Sequence, residues 1–503
     1  MKKSVYLIAI LYSGIIFSQP PSSVNSDATK YAETITVADL KEDLTILASD
    51  ALEGRETGKR GQKMAAAYIK THFEELGLVG PVKGTGSPYY QNVPLKVVKP
   101  GEIYLMINGV RLNNIDEVLY SGQGNTNGEV PTEVVFIGEG SEADFEKNEV
   151  KGKSILIYNT DRNGRVLASK LAKEQGVQMI FSVRGSSDEE FKVFQTNFGN
   201  YFSSGTMKLD KDERKEVGIF YLSPSVAAGM LNTSFDKIEK AIDAAKNGEK
   251  NPYKKLKSEK IGYQLDFENK KIVSENVLGF LEGTDLKEEV LVLTSHYDHE
   301  GIKNGEIYNG ADDDGSGTVA VMDIAEAFVK AKEDGKGPRR SILFMTVTAE
   351  EKGLLGSEYY ADNPIFPLEN TVANLNIDMI GRIDDRELKS ENYVSLVGSD
   401  KLSTELHAIS EKANSTYTNL FLDYTYNDEG HPERIYYRSD HWNFAKNGIP
   451  VIFYTTGSHP DYHKPTDTVE KIEFELMTAR AKLVFYTAWE IVNRDGRLIV
   501  DKK

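Results

Sequence analysis

The chain has 503 residues, and with roughly 100–200 residues to a typical domain this is a multi-domain protein with enough sequence to bury a large core. Its 60 Lys and Arg against 77 Asp and Glu leave a formal net charge of −17, which argues against a nucleic acid or an anionic membrane surface as partner. Cysteine is absent, which excludes disulfides, thiolate nucleophiles and Cys-ligated metal sites together, so any metal must be held by His and carboxylates.

Residues 1–18 read as an export signal: Lys2 and Lys3, an apolar run from Val5 to Phe17, then Ser18 and Gln19 before Pro20 and Pro21. The run is shorter than the roughly 20 apolar residues of a spanning helix, and no later stretch of that length is free of charge. The expectation is an exported protein, periplasmic or secreted, without stable membrane association; a retained anchor is the alternative.

Residues 19–119 are read as the amino-terminal part of the main domain. Apolar periodicity predicts helices over 37–47 and 61–76, the second placing Ala65, Tyr68, Ile69, His72 and Phe73 on one face. A Gly-rich turn over 77–86 precedes an alternating stretch, 89–98, read as a strand. From 120 to 260 the texture changes to short strands (133–137, 154–158, 177–183, 217–222) around a helix over 166–175. This predicts a small inserted β-rich α/β domain with no catalytic constellation. Gly122, Gly124 and Gly128 are one residue off a dinucleotide fingerprint and lack its strand-turn-helix context, so a plain loop is expected.

Residues 261–503 have an α/β rhythm. The runs 290–294, 342–348, 372–377 and 451–454 are β-branched and continuously apolar, as strands buried on both faces are. A helix over 317–331 joins the first two, with Val321, Ile324, Ala325, Phe328 and Val329 on one side. The fold class expected is α/β: a mixed, mostly parallel sheet with helices on both faces.

Each of those strands leads at its carboxyl side into metal-capable residues, where open α/β sheets place ligands. The first ends in His296, Tyr297 and Asp298 and is followed by the run Gly310-Ala311-Asp312-Asp313-Asp314-Gly315-Ser316-Gly317. The second leads to Glu350 and Glu351, the third to Asp378, and the fourth through a loop to Tyr462 and His463. A calcium loop fails as an account of the Asp run, because Gly315 at the sixth position would put Gly310 first and Val321 last, where Asp and Glu are required. His299 and Glu300 begin H-E-x-x-H, but Lys303 stands where the second His belongs. Ser316 lacks the flanking pattern of a serine-hydrolase elbow.

In this order, H-Y-D, N-G-A-D-D-D-G-S-G, A-E-E-x-G-L-L-G-S, N-I-D-M-I-G, R-S-D-H and Y-H-K-P-T-D-T resemble the M28 family of dinuclear zinc metallopeptidases, the aminopeptidase type. The likeness is close from Asn276 to about Thr468 and looser over the amino-terminal L-x-G-R-x-x-G, and the insert resembles a protease-associated domain. The resemblance implies a zinc exopeptidase-like fold and two Zn2+, with Mn2+ or Co2+ as alternatives. It implies His296 and Asp378 on one ion, Glu351 and His463 on the other, and Asp313 between them. Asp298 is similar to the family's Asp that orients the first His. Glu350 resembles its general base and acid, acting on a metal-bridging water during attack on the scissile carbonyl.

Other positions are less constrained. His459 precedes His463 but falls outside the Y-H-x-x-x-D-T context, and His299 and His441 are expected to be structural. Asp467 is a candidate to orient His463, and Tyr462 a candidate substrate contact. The reading is an exported aminopeptidase acting on peptides. A carboxypeptidase or dipeptidase of the same fold would need a cation for the substrate carboxylate, which Arg438 or Arg434 could supply. A glutaminyl cyclase typically works with one zinc, against the retention of both His296 and Asp378, and a non-catalytic binding protein should have lost ligands.

Overall fold

The computed structural model describes residues 24–502 apart from 85, 212–215, 251 and 387, so the export signal read over 1–18 lies outside the described residues. Among the described residues, no helix is long and apolar enough to cross a membrane. The chain divides into two compact units, Met1–Asn92 with Glu275–Lys503, and Val93–Ser274.

The unit Val93–Ser274 is longer than the insert read over 120–260 because flanking residues pair within it. Tyr104–Ile107 pairs antiparallel with Ile261–Gln264 on one side and with Val110–Asn113 on the other. A second sheet of five strands orders Leu119–Ser121, Gly218–Leu222, Met179–Val183, Ser154–Tyr158 and Val134–Phe136. Its core gathers Phe136, Leu156, Phe181, Phe220 and Leu222.

In the other unit, strands Val451–Thr455, Thr371–Ile377, Leu286–His296 and Arg340–Val347 lie side by side and run parallel. Residues 277–281 add an antiparallel strand beyond Arg340–Val347, and Tyr393–Val397 adds one beyond Val451–Thr455. The sheet is therefore mixed with a parallel centre. Its continuous apolar runs follow from two-sided burial. Leu291, Leu293, Phe344 and Leu375 pack with helices Gly317–Glu333 and Phe474–Asn493, while Val290, Val292, Leu343 and Met345 pack with Tyr360 and Phe444 on the opposite face. Successive strand side chains alternate faces, so a strand covered on both sides must be apolar at every position. Each such fully buried side chain contributes about 1.5–3 kcal/mol.

From Leu286–His296 the chain passes to the strand on one side, Arg340–Val347, and then to the strand on the other, Thr371–Ile377. That reversal opens a crevice at the carboxyl ends, and it is there that the chemistry-bearing residues gather.

The helix Gly317–Glu333 carries one anomaly. Asp323 is 3% exposed, and neither carboxylate oxygen has a hydrogen-bond partner. Burial, with Asp43, Asp39 and Glu326 adding repulsion, pushes its carboxyl up to about 9. Folding therefore takes up a proton here, and the stabilisation is complete below the unfolded value near pH 4 and lost as the pH rises to about 9, at about 1.4 kcal/mol per pH unit. Urea unfolding from about pH 5 to about pH 9 should show Asp323→Asn losing stability less steeply than the wild type. Parallel slopes would contradict the assignment.

Candidate metal centre

The strand Leu286–His296 delivers a fully buried imidazole to the crevice. His296 Nδ1 lies 3.1 Å from the main-chain oxygen of Asp298, where it can only donate, and this leaves the Nε2 lone pair facing inward. Nε2 is 3.2 Å from Asp313 Oδ1, 3.7 Å from Asp378 Oδ1 and 3.8 Å from Glu350 Oε2. The orienting contact thus comes from the carbonyl of Asp298. Its carboxylate lies 4.0 Å from the ring and is engaged elsewhere, Oδ2 by the Thr57 hydroxyl at 2.7 Å and Oδ1 by the Glu350 N–H at 3.1 Å.

Asp313 turns its other oxygen away from His296: Oδ2 is 3.0 Å from Nε2 of His463, which is 3.1 Å from Glu351 Oε2. Glu351 Oε1 in turn is 2.8 Å from Nδ1 of His299. Asp313 Oδ2, Glu351 Oε1 and both ring nitrogens of His299 are buried with no well-aligned hydrogen bond. Buried polar atoms without a well-aligned partner are costly, and a cation among them satisfies the carboxylate oxygens. His296, Glu350 and Asp378, and likewise His299, Asp313 and Glu351, are close enough together to hold an ion each. Imidazole nitrogens and carboxylate oxygens without sulfur form a donor set that suits zinc.

Main-chain N–H and hydroxyl donors hold oxygens of the surrounding carboxylates. Asp314 accepts the N–H of His296 at 3.2 Å on one oxygen and those of Gly317 at 2.8 Å and Met379 at 3.1 Å on the other, tying two strand ends to the helix start. Asp312 Oδ1 accepts Ser316 and Gly381, and its Oδ2 lies 3.2 Å from His459, so His459 serves this loop. Asp467 accepts the N–H groups of Asp312 and Asp313, at 3.0–3.2 Å, rather than orienting His463. Asp378 Oδ2 accepts the Ser439 hydroxyl at 2.6 Å. Ala349, Met379 and His463 all adopt left-handed backbone, at φ 57°, 63° and 52°, which costs about 1–3 kcal/mol each and is tolerated where packing fixes the site.

Glu350 stands beside these groups, with Oε2 3.8 Å from His296 Nε2. Burial, reinforced by Glu351, Asp378 and Asp440 and opposed by His296, pushes its carboxyl well above the ordinary range. Tyr462 stacks on His463 with centroids 4.0 Å apart, and burial together with Asp313 and Glu351 pushes its phenol up, so it remains a donor. A pocket lined by Glu350, Asp378, Tyr426, Ile435, Arg438 and Tyr462 opens from the crevice, and the Arg438 guanidinium at its edge is 3.5 Å from Glu433. His441 is buried, with Nε2 donating to the Tyr436 carbonyl at 2.8 Å.

Residues 276–488 match the model of Peptidase family M28. This segment belongs to that family. Among curated relatives, Aminopeptidase YwaD of Bacillus subtilis is 27% identical over 238 residues, 46% of this chain and 47% of its own. A probable leucine aminopeptidase of Trichophyton verrucosum is 31% identical over 212 residues, 41% of this chain and 54% of its own. The chain spans about half the length of the curated relatives it matches. Among solved structures, an aminopeptidase from Aneurinibacillus sp. strain AM-1 superposes with a TM-score of 0.57 at 19% identity, covering 95% of this chain and 98% of that one. BSAP, a zinc aminopeptidase from Bacillus subtilis, gives 0.50 at 19% identity, covering 93% and 99%. The likeness to these structures is one of fold.

The M28 segment does not brace its crevice alone. Arg55, 1% exposed, donates to the carbonyls of Tyr297, Leu47, Asn309 and Gly310 at 2.6–2.8 Å, and Thr57 holds Asp298. Both belong to the amino-terminal L-x-G-R-x-x-G, whose spacing offered no sign that its Arg was destined for carbonyls more than 240 residues away. Replacing Arg55 by Ala strips these buried carbonyls of their donor and should cost on the order of 3–5 kcal/mol. A urea midpoint unchanged from wild type would contradict that bracing role.

Proposed function

We propose that this protein is an exported, dinuclear zinc aminopeptidase that releases amino-terminal residues from peptides. The observation that carries the reading is the division of Asp313, with one carboxylate oxygen toward His296 and the other toward His463. His296, Asp378 and Asp313 would hold one ion, and His463, Glu351 and Asp313 the other. Held there, zinc supplies Lewis-acid polarisation of a carbonyl and lowers the pKa of water. The named aminopeptidases among the relatives and the M28 family of the segment support the reaction class. We read Val93–Ser274 as a protease-associated-like insert.

The chain's own part in hydrolysis centres on Glu350. Its carboxylate accepts a proton from the attacking water and returns it to the departing amine. Its main-chain N–H is fixed by Asp298, so the side chain starts from a backbone that cannot swing, and its neighbours Ala349 and Glu351 are fixed by strain and by His463. Tyr462 holds its proton and offers a hydroxyl to the substrate carbonyl. Ser439 occupies the second oxygen of Asp378 and leaves the first for the crevice.

Glu350→Gln should lower turnover by about 10²–10⁴-fold with bound zinc unchanged, measured by peptide hydrolysis and elemental analysis on the same preparation. Near-wild-type turnover would remove Glu350 from the reaction. Reaction class is tested with one short peptide supplied free, amino-terminally acetylated and carboxyl-amidated. Cleavage of the free and amidated forms, with the acetylated form untouched, is the expected pattern. Cleavage of the acetylated form and not the amidated one would move the assignment to a carboxypeptidase with Arg438 at the substrate carboxylate. Cleavage of the free form alone would make it a dipeptidase.

A further inference from the structure

We infer that Asn374, Thr294, Asn376 and Ser439 form a one-way hydrogen-bond relay that positions Asp378 for its ion. This rests on the two-ion reading and adds to it four positioning residues outside the ion-holding set.

Strand Thr371–Ile377 gives Ala373, Leu375 and Ile377 to the apolar core on one face of the sheet. Its other face carries Asn374 and Asn376, both fully buried and, two residues apart, on the same side. The neighbouring strand is in register, with Thr294 opposite Asn376 and Val292 opposite Asn374. Val290 and Val292 pack there with Phe444, from the helix His441–Ala445 that Ser439 precedes. Polar side chains in such a layer are costly unless they are hydrogen-bonded, and these are bonded to one another.

The bonds run in a single direction. Asn374 Nδ2 donates to Thr294 Oγ1 at 2.9 Å, and Thr294 Oγ1 donates to Asn376 Oδ1 at 2.6 Å. Asn376 Nδ2 donates to Ser439 Oγ at 2.9 Å, and Ser439 Oγ donates to Asp378 Oδ2 at 2.6 Å.

The carboxylate at the end dictates every direction before it. A carboxylate that holds an ion can only accept, so the Ser439 hydroxyl gives its one proton to Asp378 and must itself accept from the Asn376 amide. Turning that nitrogen to Ser439 turns Asn376 Oδ1 to Thr294, whose hydroxyl is then a donor and takes its own hydrogen bond from Asn374. The Asn374 amide is held for this purpose at a cost: its Nδ2 also reaches the Val292 carbonyl at 3.3 Å, while its buried Oδ1 has no hydrogen-bond partner among the described residues. Aligned bonds in a low-dielectric interior polarise one another and strengthen the last of the series, the one on Asp378. With Oδ2 held, the carboxylate does not rotate, and Oδ1, 3.7 Å from His296 Nε2, stays turned into the crevice.

Zinc titration into metal-free protein, followed by calorimetry, should compare wild type with Thr294→Val, which keeps the side-chain shape and removes the hydroxyl, and Thr294→Ser, which keeps the hydroxyl. Thr294→Val should weaken one ion by about 10–100-fold, as loss of a group that orients a metal ligand does, and leave the other as in wild type. Far-ultraviolet circular dichroism should be unaltered, and Thr294→Ser should bind both ions as wild type does. In an Asp378→Ala background, Thr294→Val should have no further effect on zinc binding. Unchanged affinities in Thr294→Val, equal weakening of both ions, or the same loss with and without Asp378 would overturn the relay. If wild type binds a single ion, the two-ion reading fails, and the relay stands only if Thr294→Val weakens that ion and Thr294→Ser does not. A crystal structure of zinc-loaded wild type decides without any variant: Asp378 on an ion through Oδ1 alone, with Ser439 on Oδ2, supports the relay, and Asp378 on an ion through both oxygens overturns it.

Discussion

Carboxylates crowded into a buried crevice repel one another, and the structure around this crevice is organised to hold them together. Two like charges about 4 Å apart cost about 1 kcal/mol in bulk water and roughly 4 kcal/mol near a protein surface. Glu350, Glu351, Asp313 and Asp378 converge under this penalty with His296 and His463 among them. Asp298, fully buried one step behind, is pushed up by that burial even with His296 and Thr57 pulling the other way. Divalent cations relieve such repulsion, so metal binding and the stability of the crevice are one equilibrium seen from two sides.

Hydrogen-bond donors sort the acids into two kinds. Asp314 and Asp467 have main-chain N–H groups on both oxygens, and Asp312 is held by Ser316, Gly381 and His459; these residues pin the loop and the strand ends. Asp313 instead turns one oxygen toward His296 and the other toward His463, and Glu351 turns one toward His463. Within a run of three identical residues, the middle one is set apart by facing imidazoles on both oxygens. The backbone contributes in the same sense, since left-handed Ala349, Met379 and His463 aim adjacent side chains in directions that relaxed backbone would not give.

Much of this was legible in the sequence because it rests on local pattern. The parallel strands announce themselves by continuous apolar runs, and helix Gly317–Glu333 by its stripe. Contacts distant in sequence were not legible. The limits of Val93–Ser274 depend on Tyr104–Ile107 pairing with Ile261–Gln264, far apart in the chain and each too short to stand out. Helix Asp188–Ser203 does not stand out in the sequence although Ser187 and Glu190 carry a cap signal, because its aromatic residues blur the apolar stripe. At the site, the family pattern named residues but not hydrogen-bond directions. Asp467 faces amides rather than His463, Asp298 orients His296 through its carbonyl, and His299 lies among the acids rather than in plain packing.

The central claim is that Asp313 joins two ions. Calorimetric titration of zinc into metal-free protein tests it directly, comparing wild type with Asp313→Ala and Asp378→Ala. Two equivalents should bind to wild type, Asp313→Ala should weaken both, and Asp378→Ala should weaken one. A single equivalent in wild type, or an Asp313→Ala variant in which one ion binds as tightly as before, would contradict it.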